Sequence, residues 1–223
     1  MTLKLDGERL REGACYALEH CTHLTEDAAT MYAAQRFATS FCLAVMAREE
    51  LGRFNLLWEQ SVELAEDGVI CANSLAERLK PHEEKIRAGQ SIVPVPMKPE
   101  EMRRWTAAIT ANDTATIEAI IAAVRMRTAT VRKHAPSALH KRRLQAQYVD
   151  LDPATGIWST PSSIKKTEAR ALVHTVMAEI ANVLIAAQSN GALLRTSERI
   201  GLRLPQMGPF THNVLGRLVN GDA

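Results

Sequence analysis

Between Arg36 and Leu64 the chain reads RFATSFCLAVMAREELGRFNLLWEQSVEL, an apolar run into which Arg48, Glu49, Glu50 and Arg53 are set within little more than one helical turn. At ~100° per residue, Phe37, Phe41, Leu43, Ala44, Ala47, Leu51, Phe54 and Trp58 fill one broad sector, and Cys42, Val45, Met46, Leu56 and Leu57 keep most of the remainder apolar. A helix of this kind lies deep in a bundle. Buried carboxylates and guanidinium groups are costly unless hydrogen-bonded and paired, so the cluster is either a structural charge network or part of a functional pocket. The sequence leaves both open.

The composition, 46% hydrophobic but only 4% aromatic, with abundant Ala and Leu, points to an all-α fold. A formal net charge of +2 carries no global field for nucleic acid or membrane, so such a partner must meet a local patch. Cys15, Cys21, Cys42 and Cys71 fall within helical apolar patterns without a CxxC pair, which reads as reduced, buried thiols in a cytoplasmic protein. The start, MTLKLDGERLREG, lacks a hydrophobic signal core, and charges interrupt the apolar runs before ~20 residues, so no membrane segment is expected.

Asp6 is placed to cap a first helix along which Leu10, Ala14, Ala17, Leu18, Cys21, Leu24 and Ala28 recur at three and four. The buried helix follows and is expected to end near Gly68. Asn73 or Ser74 then suits the cap of a shorter helix, which Pro81 kinks or restarts. QSIVPVPMKP, at 90–99, reads as an extended connector, with Pro99 in the first turn of EEMRRWTAAITA. Asp113 or Thr114 caps a segment with Ile117, Ile120, Ile121, Val124 and Thr128 on one face and Arg125, Arg127, Arg132 and Lys133 toward its end. Ser137 to Gln147 reads as a separate basic helix, and the Asp-Pro-Ala-Thr-Gly turn in YVDLDPATGIWSTP predicts a small hairpin. A long helix from Ser162 to Asn190-Gly191 and a C-terminal helix with a loose tail complete the chain. We expect one helical domain over 1–191, with 192–223 packed on it.

The order GACYALEHCTHLTEDA, LAVMAREELGRF, PHEEK and HKRRLQAQYVDLDPATGIWSTP resembles the AbiV-type abortive infection proteins of the HEPN superfamily. The anchors are Ala47, Glu49, Glu50, Gly52 and Arg53, then Lys141, Arg142, Tyr148, Val149, Asp150, Trp158, Ser159 and Pro161. The resemblance implies a HEPN-like helical bundle with a small β-hairpin inserted before the last long helix. It also implies a homodimer acting in antiviral defence on RNA or the translation machinery, with a phage-encoded activator and, in many relatives, metal-independent ribonuclease activity through an Arg-x4-6-His motif. Only Arg127 and His134 meet that motif, with six residues between them.

Metal-independent RNA cleavage needs a base for the ribose 2′-hydroxyl, an acid for the leaving 5′-oxygen and a cation for the charged phosphorane. Two histidine-based pairs answer this: Arg127 with His134, two turns apart on one face, and His82 with Lys85, one turn apart after Pro81. Glu49, Glu50 and Arg53 complete the candidate catalytic set, either pairing within their helix or orienting an imidazole. His140, Lys141, Arg142, Arg143 and Tyr148 are the candidate RNA contacts, the cations for phosphate and the aromatics Tyr148 and Trp158 for stacking. No cofactor or metal is expected, since the Glu-x-x-His pairs of a dinuclear bundle site are missing. The competing readings are a non-catalytic module that blocks translation or senses a phage protein by surface contact, and a bundle that binds a small molecule.

Overall fold

The computed structural model describes residues 3–64, 68–90, 113–151 and 155–221, with residues 100, 103–104 and 107–108; the side chains of 117–118, 121, 124–135 and 150 lie outside that description. The core is built on two 27-residue helices, α1 (Gly7–Ala33) and α2 (Phe37–Glu63), which form the most extensive helix pair. Asp6 caps α1 as its spacing predicts, accepting from the Arg9 amide at 2.8 Å. α1 ends without glycine: Gln35 takes a left-handed φ of 58°, and the Arg36 amide donates to the Met31 carbonyl, a closure that turns the chain back into α2. Ser40, fully buried, donates to the Ala28 carbonyl across the pair at 2.7 Å.

The residues before α1 form β1 (Lys4–Asp6), which pairs antiparallel with β2 (Val69–Cys71), Leu5 opposite Ile70. Sequence periodicity did not reveal this ribbon, because three-residue strands carry too little alternation to register. α2 stops at Glu63, earlier than Gly68. Two eight-residue helices follow, α3 (Ala72–Leu79) and α4 (His82–Gly89), the chain restarting after Pro81. The 91–99 connector and most of EEMRRWTAAITA lie outside the described residues.

α5 (Thr114–Gln147) is a single 34-residue helix, capped by Asp113, with Pro136 inside it. The separate basic helix expected from Ser137 is therefore the last part of α5. A proline interrupts the hydrogen-bond ladder without ending the helix when packing holds it, and Pro136, Leu139 and Arg143 are buried or half-buried. The hairpin is present as β3 (Asp150–Leu151) and β4 (Trp158–Ser159), with Gly156 at φ 67° on its return. A 3-10 turn, Pro161–Ser163, leads to α6 (Lys166–Gln188), which begins later than Ser162 because Glu168 reaches back to the Lys165 amide.

Asn190 ends α6 and caps α7 (Gly191–Arg199); α8 (Met207–Asn220) then packs on α1 and α6, so the C-terminal segment is more regular than a loose tail. Arg217 anchors it, donating to the Glu26 carbonyl at 2.8 Å. α6 is long and apolar enough by length and composition to cross a membrane. Val173, Val176, Met177, Ile180 and Leu184 are nevertheless buried in the core, and a charged residue of the same helix, Glu179, is buried among them.

Candidate functional site

The charges of α2 separate according to the angle at which they leave the helix. Arg48 is buried and meets Glu179 of α6 in a two-pronged pair, Nε and Nη2 each 3.0 Å from a carboxylate oxygen. Glu49, one residue and ~100° further round, faces α4 and α5 instead. Glu50 and Arg53 pair within the helix at 3.0 Å on the rim, where the Arg53 side chain is partly open to solvent. The cluster is thus partly scaffold and partly site.

α4 reaches Glu49 because two glycines let the backbones touch. A Cβ on Gly52 would lie 1.7 Å from the Lys85 carbonyl oxygen, and one on Gly89 would lie 2.1 Å from that of Arg48. Asn55 adds a hydrogen bond from its amide to the Ala88 carbonyl at 2.6 Å. This seating brings His82, the first residue of α4, to Glu49: Nδ1 stands 2.7 Å from Oε2. The carboxylate is buried and the imidazole is nearly half exposed, so one end of the pair is fixed and the other meets solvent.

α5 supplies the other wall. The His140 ring stacks on that of His82, centroids 5.1 Å apart and planes 16° from parallel. Arg143, three residues on and buried, places Nη1 3.2 Å from Glu49 Oε1 and Nη2 3.4 Å from His140 Nδ1. Although that guanidinium lies within ion-pair reach, among the described residues no N–H is directed at Glu49 Oε1, and Arg143 Nε has no acceptor there. A buried carboxylate oxygen and a buried N–H thus each lack a directed partner on adjoining groups. Ser137 of α5 bonds Glu83 of α4 at 2.9 Å, closing the wall on the solvent side.

Lys85 is buried beneath this edge. Desolvation lowers its pKa, Arg53 lowers it further, and Glu49 and Glu50 oppose the fall. Burial also lowers the His140 pKa, aided by Arg143 and His82. The neutral ring is the form that a cation-rich, partly dry setting favours.

Of the residues predicted from sequence, the structure brings Glu49, His82, Lys85, His140 and Arg143 to one place, with Glu50 and Arg53 at its rim. Arg142 is turned away, bound to Glu168 at 3.0 and 3.1 Å and to the Ser163 carbonyl at 3.0 Å. Lys141 and Tyr148 are exposed. Arg127 and His134 lie on α5, but their side chains are outside the described residues. Sequence reading assigned His140 and Arg143 to an outward RNA surface. A signal for the inward face was present: Pro136, Leu139, Arg143 and Ala146 recur at three and four and are buried or half-buried, placing Arg143 at a core position.

Elsewhere the described residues line two apolar cavities. One, of about 500 Å³, lies between α6, α7 and the start of α8; the other, of about 210 Å³, lies beside Phe54 and Trp58. Neither of these two cavities is lined by an ionisable side chain.

The fold makes this an all-α bundle protein, in which α2, α4 and α5 bring together a carboxylate, two stacked histidines and inward cations. The chain matches the HEPN_AbiV family model, described as AbiV, over residues 9–181, and it belongs to that family. Its fold is the helical HEPN fold, and the matched span carries the whole Glu49 edge. No curated protein and no solved structure matches the chain.

Proposed function

We propose that this AbiV-family protein acts in abortive infection by cleaving RNA at the Glu49–His82–His140–Arg143 edge. The observation that carries this reading is the convergence of two stacked imidazoles, a buried carboxylate and an inward guanidinium: Glu49 Oε1, 3.2 Å from Arg143 Nη1, has no directed donor among the described residues, and Arg143 Nε has no acceptor there. A ribonucleotide offers both, its 2′-hydroxyl as donor and its phosphate as acceptor, and deoxyribonucleotides lack the first. His140, in a setting that favours the neutral ring, accepts the 2′-hydroxyl proton; His82, oriented by Glu49 at Nδ1, gives a proton to the leaving 5′-oxygen. Arg143 and Lys85 stabilise the phosphorane charge. The 2′-oxygen forms a bond to phosphorus as the 5′-oxygen bond breaks, giving a 2′,3′-cyclic phosphate and a 5′-hydroxyl.

The test is incubation of the purified protein with total RNA, with and without phage lysate, alongside His82→Ala, His140→Ala and Glu49→Gln. Discrete fragments with cyclic-phosphate ends, lost in all three variants, support the reading; wild-type fragments unchanged in the variants remove it.

A second reading rests on the hairpin. Tyr148, Val149, Leu151, Ile157 and Trp158 are all exposed, an apolar group suited to contacting another macromolecule. In this reading the protein blocks the translation machinery or senses a phage polypeptide without catalysis. Phage protection that survives His82→Ala but not Trp158→Ser favours it.

A further inference from the structure

We infer that Glu49, His82 and His140 form a site for a single transition-metal dication of the zinc class, and that the bound ion switches off the ribonuclease chemistry proposed above. The donors come from α2, α4 and α5, and the carboxylate oxygens and ring nitrogens concerned all lie within 4.8 Å of one another. Four-coordinate zinc at ~2.0–2.1 Å from nitrogen and oxygen sets its ligands about 3.3 Å apart. The Glu49–His82 contact, now 2.7 Å, has only to open slightly, and His140 has to close by no more than about 1.5 Å. Both rings are partly exposed and sit at a surface edge, so side-chain rotation achieves this without moving the helices.

The independent observation is Glu49 Oε1. The residue is 5% exposed, and that oxygen meets the Arg143 guanidinium only as an ion pair, Nη1 at 3.2 Å, with no directed hydrogen bond among the described residues, so a dication there has an ion pair but no directed hydrogen bond to displace. Two imidazoles and one carboxylate select zinc, cobalt or nickel over magnesium and calcium, which favour all-oxygen sets. The fourth position opens to solvent past the half-exposed His82. Arg143 and Lys85 repel a dication, so the site is a reversible one rather than a structural anchor. On binding, the ion displaces the proton shared by Glu49 and His82, which passes to buffer, and it occupies the imidazole lone pairs that proton transfer needs.

Only the switching half of this inference rests on the ribonuclease reading; the binding half is measured without RNA. Full-length protein freed of metal by chelator is titrated with cobalt(II), following the visible absorption of a four-coordinate nitrogen–oxygen site, and then with zinc to displace the cobalt. Cys71→Ser serves as background, since that thiol is half-buried while Cys15, Cys21 and Cys42 are buried. One equivalent bound per chain, insensitive to magnesium and weakened ~10-fold or more by His140→Ala, His82→Ala and Glu49→Gln, supports the site. His140→Gln guards against a folding artefact, and circular dichroism checks all variants. No saturable cobalt binding, or binding unchanged in these variants, overturns it. RNA cleavage that falls with zinc and returns with chelator supports the switch, whereas cleavage indifferent to zinc at saturating occupancy overturns it. Saturable binding by a chain that cleaves no RNA supports the site and counts against the ribonuclease alone.

Discussion

Replacing Gly52 by alanine tests the idea that backbone contact between α2 and α4 builds the site. The added methyl would stand 1.7 Å from the Lys85 carbonyl oxygen, 2.6 Å from its carbon and 2.8 Å from the Gly89 nitrogen, all rigid backbone. Restoring even a 3.0 Å approach requires α4 to withdraw by about 1.3 Å. The Glu49–His82 contact, 2.7 Å, then stretches to about 4 Å and ceases to be a hydrogen bond. Overpacking costs ~1–3 kcal/mol and the lost charged hydrogen bond ~1.5–3, offset by about 1 kcal/mol of helix propensity, a net destabilisation of about 1.5–5 kcal/mol. Gly216 of α8 is the matched control: nothing lies within 4 Å of the point where its methyl would stand, so Gly216→Ala gains up to about 1 kcal/mol. Urea denaturation midpoints at unchanged slope give both values, and the RNA cleavage proposed above is expected to fall ~100-fold in Gly52→Ala. If Gly52→Ala is as stable as Gly216→Ala and still cleaves, the packing argument is refuted.

Other expectations follow from single features. Arg48→Met takes the two-pronged guanidinium partner from the buried Glu179 carboxylate and should cost ~3–5 kcal/mol in urea denaturation, while Arg48→Met with Glu179→Leu should recover most of that loss. Gln35→Gly removes a left-handed strain at the α1–α2 turn and should raise the denaturation midpoint by an amount equal to ~0.5–1 kcal/mol. Arg9 holds the Glu12 carboxyl below its ordinary pKa, and Arg142 does the same for Glu168, so the unfolded chain binds their protons more readily. The stability they contribute is present above about pH 4.5 and disappears as pH falls through their depressed values; Tm measured from pH 7 to 3 should flatten over that interval in Glu12→Gln with Glu168→Gln.

The sequence made much of the architecture readable, and unevenly. α1 and α2 announce themselves because their apolar residues recur at helical spacing over 27 residues each, and Asp6 and Asp113 sit at helix starts with their caps in place, whereas Asn190 read as a stop signal and not as the cap it also supplies. The β1–β2 ribbon and the continuity of α5 through Pro136 were not readable, the first for want of length and the second because tertiary packing overrode a local breaker. The site divides the same way. Glu49, His82 and Lys85 stood out as charge or imidazole beside apolar sequence, but their meeting with His140 and Arg143 depends on three helices distant in the chain. Arg142 and Arg143 are adjacent and chemically alike, yet one binds Glu168 at the surface and the other enters the core, and only the turn of α5 decides which.

That turn-by-turn separation also explains why α2 carries a buried Arg48–Glu179 pair. A buried ion pair returns in attraction roughly what it loses in desolvation, so stability alone gives little reason for it. Its value is angular. The two-pronged bond fixes the rotation of α2 against α6, and Glu49, ~100° round from Arg48, is thereby aimed at α4. With side-chain ends ~5–6 Å from the helix axis, a 10° rotation displaces Glu49 by about 1 Å, enough to cost ~100-fold in a reaction that depends on placed groups. The apolar replacement Arg48→Met with Glu179→Leu should therefore separate the two roles: the fold keeps its stability while the proposed RNA cleavage falls, the reduction appearing in kcat more than in KM. A double variant that is both stable and fully active would show that packing alone aims Glu49, and that the ion pair has no part in the site.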